Sequence, residues 1–233
     1  MNPELDNFCH LQKYSAQRGA DLFGVADISN HKKHIRIHPP GLLDSLDRAL
    51  SLGVHLSDLV FETVIDRPNK LYSRYYKMAN MFLDQLSLQI GGEIQRMGYN
   101  YIPIPASQLI EWDGLSAHAS HRAIGELAGL GWRGRSSLLV NPIYGGRVRY
   151  VSILTDMPLT AGAPMENLCG NCRACQGACP AGAINEDGYD LEKCRHLLEH
   201  FAKTLHVSLI CGVCQKACRG GIKTKPQEVD SPG

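Results

Sequence analysis

No stretch of the chain carries the run of about 20 apolar residues that a membrane-crossing helix needs. No charged and then apolar leader of the secretory kind opens it either, so a cytoplasmic location without a membrane partner is expected. Net charge is also nearly absent. The 24 Lys and Arg are balanced by 23 Asp and Glu, leaving +1 at pH 7. No basic stripe is left over to neutralise phosphates, and a nucleic-acid partner is not expected. Neither a G-x-G-x-x-G turn nor a Walker loop is found, which removes the usual nucleotide-cofactor motifs. No internal repeat, heptad run or low-complexity tract is visible.

Cysteine, by contrast, is abundant and unevenly placed. Eight of the nine cysteines fall in the last third, at Cys169, Cys172, Cys175, Cys179, Cys194, Cys211, Cys214 and Cys218. The first four read C-x2-C-x2-C-x3-C-P, ending at Pro180, and the last three read C-x2-C-x3-C. Bacterial two-cluster ferredoxins use this shape for paired 4Fe-4S centres, and the fourth cysteine of such a run serves the neighbouring cluster. On that logic Cys169, Cys172, Cys175 and the distant Cys218 hold one cluster, while Cys179, Cys194, Cys211 and Cys214 hold the other. Structural zinc would also use C-x2-C pairs, but gives no reason for the longer run. Disulfides would require an oxidising compartment. Cys9 stands apart on an amphipathic first helix, where a small apolar core residue is expected.

The 233 residues, 44% hydrophobic, suffice for one full domain and a small appendage. Periodicity predicts a helix over 3–18, a strand over 22–26, a His-rich loop over 31–40, a helix over 42–52 and a strand over 59–65. A long helix follows over 70–97, which the Gly91-Gly92 pair weakens or bends. Further on come a strand over 99–104, a helix over 116–130, and strands over 137–140 and 147–154 around an Asn-Pro and Gly-Gly turn. Helices interleave with strands, so a layered α/β domain is expected over 1–160, then a cysteine-rich domain over 161–222 and a loose tail over 223–233.

The stretch AGLGWRGRSSLLVNPIYGGRVRYVSILTDMPL at 128–159, followed by CGNCRACQGACPAGAI, resembles the core of the cobalamin-dependent epoxyqueuosine reductases and reductive dehalogenases. The likeness runs back more weakly through GYNYIPIPAS at 98–107, RYY at 74–76 and ADLFGVADIS at 20–29. The resemblance implies an α+β fold, a nitroreductase-like layer domain with a C-terminal two-cluster ferredoxin-like domain. It also implies a base-off corrinoid between the two, fed by the clusters, whose known potentials span roughly −700 to +450 mV. A ferredoxin or flavodoxin type of electron donor is the corresponding expectation.

Where the epoxyqueuosine reductases carry a proton-donating Asp, the aligned position is Leu115, with Asp113 and Glu111 nearby; their Glu-Arg pair is His121-Arg122 here. The Gly-Arg of the dehalogenases is matched by Gly134-Arg135. The candidate catalytic residues are therefore Asp113, Tyr76, Arg135 and His118, with Tyr75 counted as core. Gly129, Gly131, Gly134, Arg135 and Ser136 are the candidate cofactor-binding residues, because a turn without side chains lets backbone approach a planar group. Gly145 and Gly146 are expected to serve the hairpin. The resemblance is not expected to extend to the helical repeats that grip transfer RNA in the former family or to the twin-arginine leader of many dehalogenases. The expected function is an iron-sulfur, corrinoid-using reductase of a small organic substrate. The alternative is an electron-transfer or corrinoid-handling protein serving another corrinoid protein, without turnover of its own; a flavin, or nothing, in the front domain also stays open.

Overall fold

The computed structural model describes residues 2–107 and 117–220. Helix α1 (Pro3–Ala16) leads into strand β1 (Leu22–Asp27). A loop with two 3-10 turns then reaches β2 (Arg48–His55) and the short α2 (Asp58–Glu62), followed by α3 (Lys70–Arg96) and β3 (Tyr101–Ile104). Next come α4 (His121–Leu127), a small ribbon of β4 (Trp132–Arg133) and β5 (Leu139–Val140), and β6 (Val148–Thr155). The cysteine-rich part contributes α5 (Ala174–Ala178), the hairpin β7 (Ile184–Asn185) and β8 (Gly188–Tyr189), α6 (Leu191–Leu205) and α7 (Val213–Ala217).

The main sheet has the order β1-β2-β6-β3 and is antiparallel throughout. Side chains alternate across it. Val25, Leu50, Leu52, Val151 and Ile153 point to one face and pack with Leu11 of α1 and Leu83, Leu86 and Ile90 of α3. Ala26, Ala49 and Leu154 point to the other face, beneath Ile124 of α4. Burying each large aliphatic side chain here is worth about 1.5–3 kcal/mol. Helices thus cover both faces of the sheet, which makes this a mixed helix-and-sheet fold in three layers.

Two expected elements are corrected. The segment expected as a helix over 42–52 holds a 3-10 turn at Pro40–Leu43 and then β2. As a central strand it is covered on both faces, so the polar alternation that marks a half-buried strand is missing. The segment expected as a strand over 59–65 is α2, turned helical by tertiary contacts: Asp58 and Glu62 both pair with Arg147, and Phe61 packs on Tyr72. Cys9 is exposed rather than part of the core. Helix α3 is continuous through Gly91 and Gly92.

Small residues let α4 approach the sheet. Gly24, Ser51 and Ser152 align in register across β1, β2 and β6, and a Cβ on Gly125 of α4 would stand 2.4 Å from the Leu139 side chain and 3.3 Å from the Ser51 hydroxyl. Gly92 on α3 is open, its nearest neighbour being Arg96 at 3.7 Å. Both sit inside helices, so intrinsic propensity favours alanine at each by about 1 kcal/mol. The structure predicts opposite outcomes in urea unfolding. Gly92→Ala is neutral or stabilising, whereas Gly125→Ala loses about 1–3 kcal/mol through overpacking.

Candidate functional site

The cysteine-rich part contains a short repeat that reading by composition missed: Cys172-Arg-Ala-Cys175-Gln-Gly-Ala-Cys179 is matched by Cys211-Gly-Val-Cys214-Gln-Lys-Ala-Cys218. Each copy folds as a five-residue helix, α5 or α7, whose C-cap is a cysteine in extended conformation. Cys194 sits in the first turn of α6, which is capped by Asp190.

Burial raises several of the eight thiols, and neighbouring thiols add to the effect. Burial pushes the Cys175 thiol up, and Cys218, Cys169 and Cys172 add to the effect. Cys218 is raised in the same way, by burial and then by Cys169 and Cys172. Burial also pushes Cys211 up to about 11, with Cys194 and Cys179 contributing. Cys214 is raised by burial and then by Cys211, Cys194, Cys179 and Cys175. Crowded thiols that resist ionisation are relieved by bound cationic iron. Eight free thiols in these two spacings are a donor set of the kind that iron-sulfur clusters take.

The segment from Gly129 to Ser136 supports the first cysteine loop. Trp132 donates from Nε1 to Cys169 Sγ at 3.3 Å. Arg135 donates to the carbonyls of Cys172 and Gly170 at 3.2 and 2.8 Å, so its guanidinium pins that loop. A Cβ on Gly129 would meet the Ala163 carbonyl at 2.7 Å, and one on Gly131 the Val140 carbonyl at 2.1 Å. Gly134 lies against Val140 and near Cys169 Sγ, and Ser136 is buried. Gly134 and Arg135 border a cavity of about 430 Å³ beside Cys169. Gly145 and Gly146 do more than turn the hairpin, since Gly146 N–H donates to the Cys218 carbonyl at 3.2 Å.

A larger cleft of about 540 Å³ lies elsewhere, between the front sheet and α7. His34 and Arg36 of the His-rich loop, Ser107, His121, Arg149, Tyr150 and Gln215 are on its walls. The volume is in the range of small-molecule and cofactor sites. None of the five expected cofactor-binding residues lines it. The Tyr150 hydroxyl is buried and has no hydrogen-bond partner among the described residues.

Tyr76, one of the expected catalytic residues, stands beside this cleft on α3. Its hydroxyl hydrogen-bonds Ser107 at 3.1 Å, and the Arg149 guanidinium lies 4.5 Å from its ring centre. Burial alone would raise the phenol, but Arg149, Ser107 and Asn80 together bring it below its ordinary value. Arg149 is held in turn by Asn80 Oδ1 at 3.0 Å and the Ala106 carbonyl at 3.1 Å. The basic partner of Tyr76 is thus Arg149, not Arg135. An arginine within an otherwise apolar strand, Val148–Thr155, was the available signal.

His118 is engaged away from the cleft, its Nδ1 hydrogen-bonding the Arg36 carbonyl at 2.8 Å. His121 is the histidine on the wall. Its Nε2 lies 2.9 Å from the Pro105 carbonyl, which can only accept, so Nε2 carries the proton and Nδ1 accepts from Ser152 at 2.8 Å. Burial pushes its pKa down to about 4. Tyr75 donates nothing to the cleft; its hydroxyl accepts from Ser57 N–H at 3.0 Å. Asp113 and Glu111 lie outside the described residues, and the described residues flanking them, Ser107 and Ala117, both line the cleft.

No protein-family model matches the chain. The epoxyqueuosine reductase of Aliivibrio fischeri is 33% identical over 142 residues, covering 58% of this chain and 35% of that protein. The one of Vibrio cholerae is 29% identical over 195 residues, covering 79% and 50%. Among solved structures, a reductive dehalogenase described as B12-dependent superposes with a TM-score of 0.74 at 20% identity, covering 93% of this chain and 32% of that one. The epoxyqueuosine reductase of Streptococcus thermophilus gives 0.63 at 16%, covering 94% and 68%. The chain is thus similar in sequence to the epoxyqueuosine reductases and shares its fold with them and with the reductive dehalogenases. It spans a third to a half of the length of these curated epoxyqueuosine reductases.

The geometry of the cleft gives two expectations. Arg149→Met removes the strongest effect that opposes burial, so the Tyr76 phenol titrates at higher pH than in the wild type; ultraviolet titration, each protein read as a difference against the same protein carrying Tyr76→Phe, measures the move. His121 is neutral in the fold down to pH about 4, while in the unfolded chain it protonates near pH 6.5. Its contribution is therefore complete above about pH 6.5 and is lost progressively toward pH 4, up to about 3 kcal/mol. Urea midpoints across that window fall more steeply for the reconstituted wild type than for His121→Asn, the acid lability of the clusters being common to both.

Proposed function

We propose that the chain is an iron-sulfur reductase that binds two 4Fe-4S clusters and a base-off corrinoid and reduces an organic substrate. Cys169, Cys172, Cys175 and Cys218 hold one cluster; Cys179, Cys194, Cys211 and Cys214 hold the other, in a ferredoxin-like part over 161–222. The cleft of about 540 Å³ would take part of so large a cofactor, against the polar side chains of Ser107, Arg149 and Gln215 on its walls. When bound, the two kinds of cofactor would supply the low-potential electrons that the protein alone cannot.

The observation that carries this reading is the pairing of Tyr76 with Arg149 at the cleft's edge. An electron carrier has no need of an acidified phenol, whereas a reductase must deliver a proton with its electrons. Tyr76 fills that role, since a phenol with a lowered pKa transfers its proton more readily near neutral pH. Arg149 stabilises the phenolate left behind. Neutral His121 offers no such proton and instead ties α4 to β6 and to the chain before residue 108. Electrons are expected to come from a ferredoxin or flavodoxin.

On the substrate, one observation favours a revision of the small-molecule expectation. An epoxyqueuosine reductase solved with a modified tRNA stem loop superposes with a TM-score of 0.61 at 19% identity. The loop from His31 to His38 carries Lys32, Lys33 and Arg36 with three histidines, and it reaches the cleft mouth through His34 and Arg36. Although net charge is near zero, the local charge suits phosphate. A nucleic-acid substrate therefore stands beside a small molecule as the second reading.

Anaerobic reconstitution with iron and sulfide, followed by titration with cob(II)alamin under electron paramagnetic resonance, tests the proposal. The expected result is iron for two clusters and loss of the nitrogen splitting that reports a base-on cobalt. Tyr76→Phe then keeps both cofactors while single-turnover product formation from a responsive substrate falls about 10²–10⁴-fold. Full cluster loading with cobalamin left free and base-on would overturn it.

A further inference from the structure

The cysteine repeat places two glutamines in equivalent positions, Gln176 after Cys175 and Gln215 after Cys214, and the fold uses them differently. Gln176 hydrogen-bonds Glu186 at the hairpin β7-β8. Gln215 stands on the wall of the main cleft, and its Oε1 accepts from the Tyr72 hydroxyl at 2.9 Å. Tyr72 has little room to move. It is 1% exposed, its backbone N–H is held by the N-cap Asn69, and a Cβ at Gly212 would stand 2.6 Å from its ring. Gly212 also sits at φ +84°, where side chains are disfavoured, so the close contact is built into the backbone.

The Tyr72 hydroxyl donates to Oε1, which leaves Nε2 as the amide's outward donor. Among the described residues Nε2 has no hydrogen-bond partner, and it is not closed off from solvent. A donor without an acceptor on the cleft wall suits a ligand rimmed with carbonyl oxygens, and a corrinoid carries carboxamides around its edge.

We propose that Gln215 is a cofactor-binding residue, donating from Nε2 to a peripheral carboxamide oxygen of the corrinoid, with Tyr72 as the positioning residue that aims it. The inference rests on the proposed corrinoid reading. It gives α7 two tasks at adjacent positions: Cys214 holds a cluster and Gln215 touches the group that the cluster serves.

Equilibrium titration of the reconstituted protein with cob(II)alamin, followed by absorbance, tests it, with iron content measured on every variant. Gln215→Glu keeps the size and the acceptor for Tyr72 but removes the donor, and weakens binding about ten-fold at unchanged iron content. Tyr72→Phe frees the amide to rotate and weakens binding by a smaller factor, and the double variant is no weaker than Gln215→Glu alone, because both changes act on one hydrogen bond. Gln176→Ala, at the equivalent position, leaves binding unchanged. Wild-type affinity in iron-replete Gln215→Glu, or equal weakening by Gln176→Ala, overturns this inference alone. A wild type that loads iron but binds no cobalamin overturns the corrinoid reading and this inference with it.

Discussion

The seating of α7 against the front domain is the constraint on which the rest depends. Cys214 and Cys218 reach the other thiols only because this five-residue helix is held from several sides. Arg147, nearly buried, donates to the Lys216 carbonyl while pairing with Asp58 and Glu62. Lys216 reaches the Val64 carbonyl at 2.9 Å, and Val213 joins Leu56, Phe61 and Tyr72 in a shared apolar cluster. Arg147 is the buried member of this group, and leaving its guanidinium without a carboxylate partner is costly. The proposed clusters and the cleft are therefore consequences of one docking event, and the long helix α3, which supplies Tyr72 and Tyr76 one turn apart, links them.

That docking explains why the chemistry is divided as it is. The Gly129–Ser136 segment faces the first cysteine loop and acts as its cradle, through Trp132, Arg135 and closely packed backbone. The cleft is made by other residues, from the ends of β6, α4 and α7. A glycine-rich turn that in sequence suggests close approach to a cofactor is explained here by close approach of backbone to backbone.

Much of this was legible beforehand. The cysteine spacing marked the cluster ligands proposed here, because ligand spacing is a local property of the chain. The long helix was read to within a residue, and Tyr76 stood out because it falls off the apolar stripe. What escaped depended on tertiary context. β2 looked helical because both its faces are covered, and α2 looked like a strand until Arg147 and Tyr72 are placed around it. Arg149 and Gln215 gained meaning only from partners 69 and 143 residues away. The charge balance concealed the local basic loop at the cleft mouth, since a sum over the chain carries no positions.

The central claim is that the cysteine-rich part and the cleft form one redox unit. Pulsed electron paramagnetic resonance on the anaerobic protein, loaded with clusters and cob(II)alamin and partly reduced, measures it most directly. The account predicts a dipolar coupling between a reduced cluster and the cobalt, as neighbours across α7 must show. Well-loaded clusters and bound cobalt without measurable coupling would contradict it.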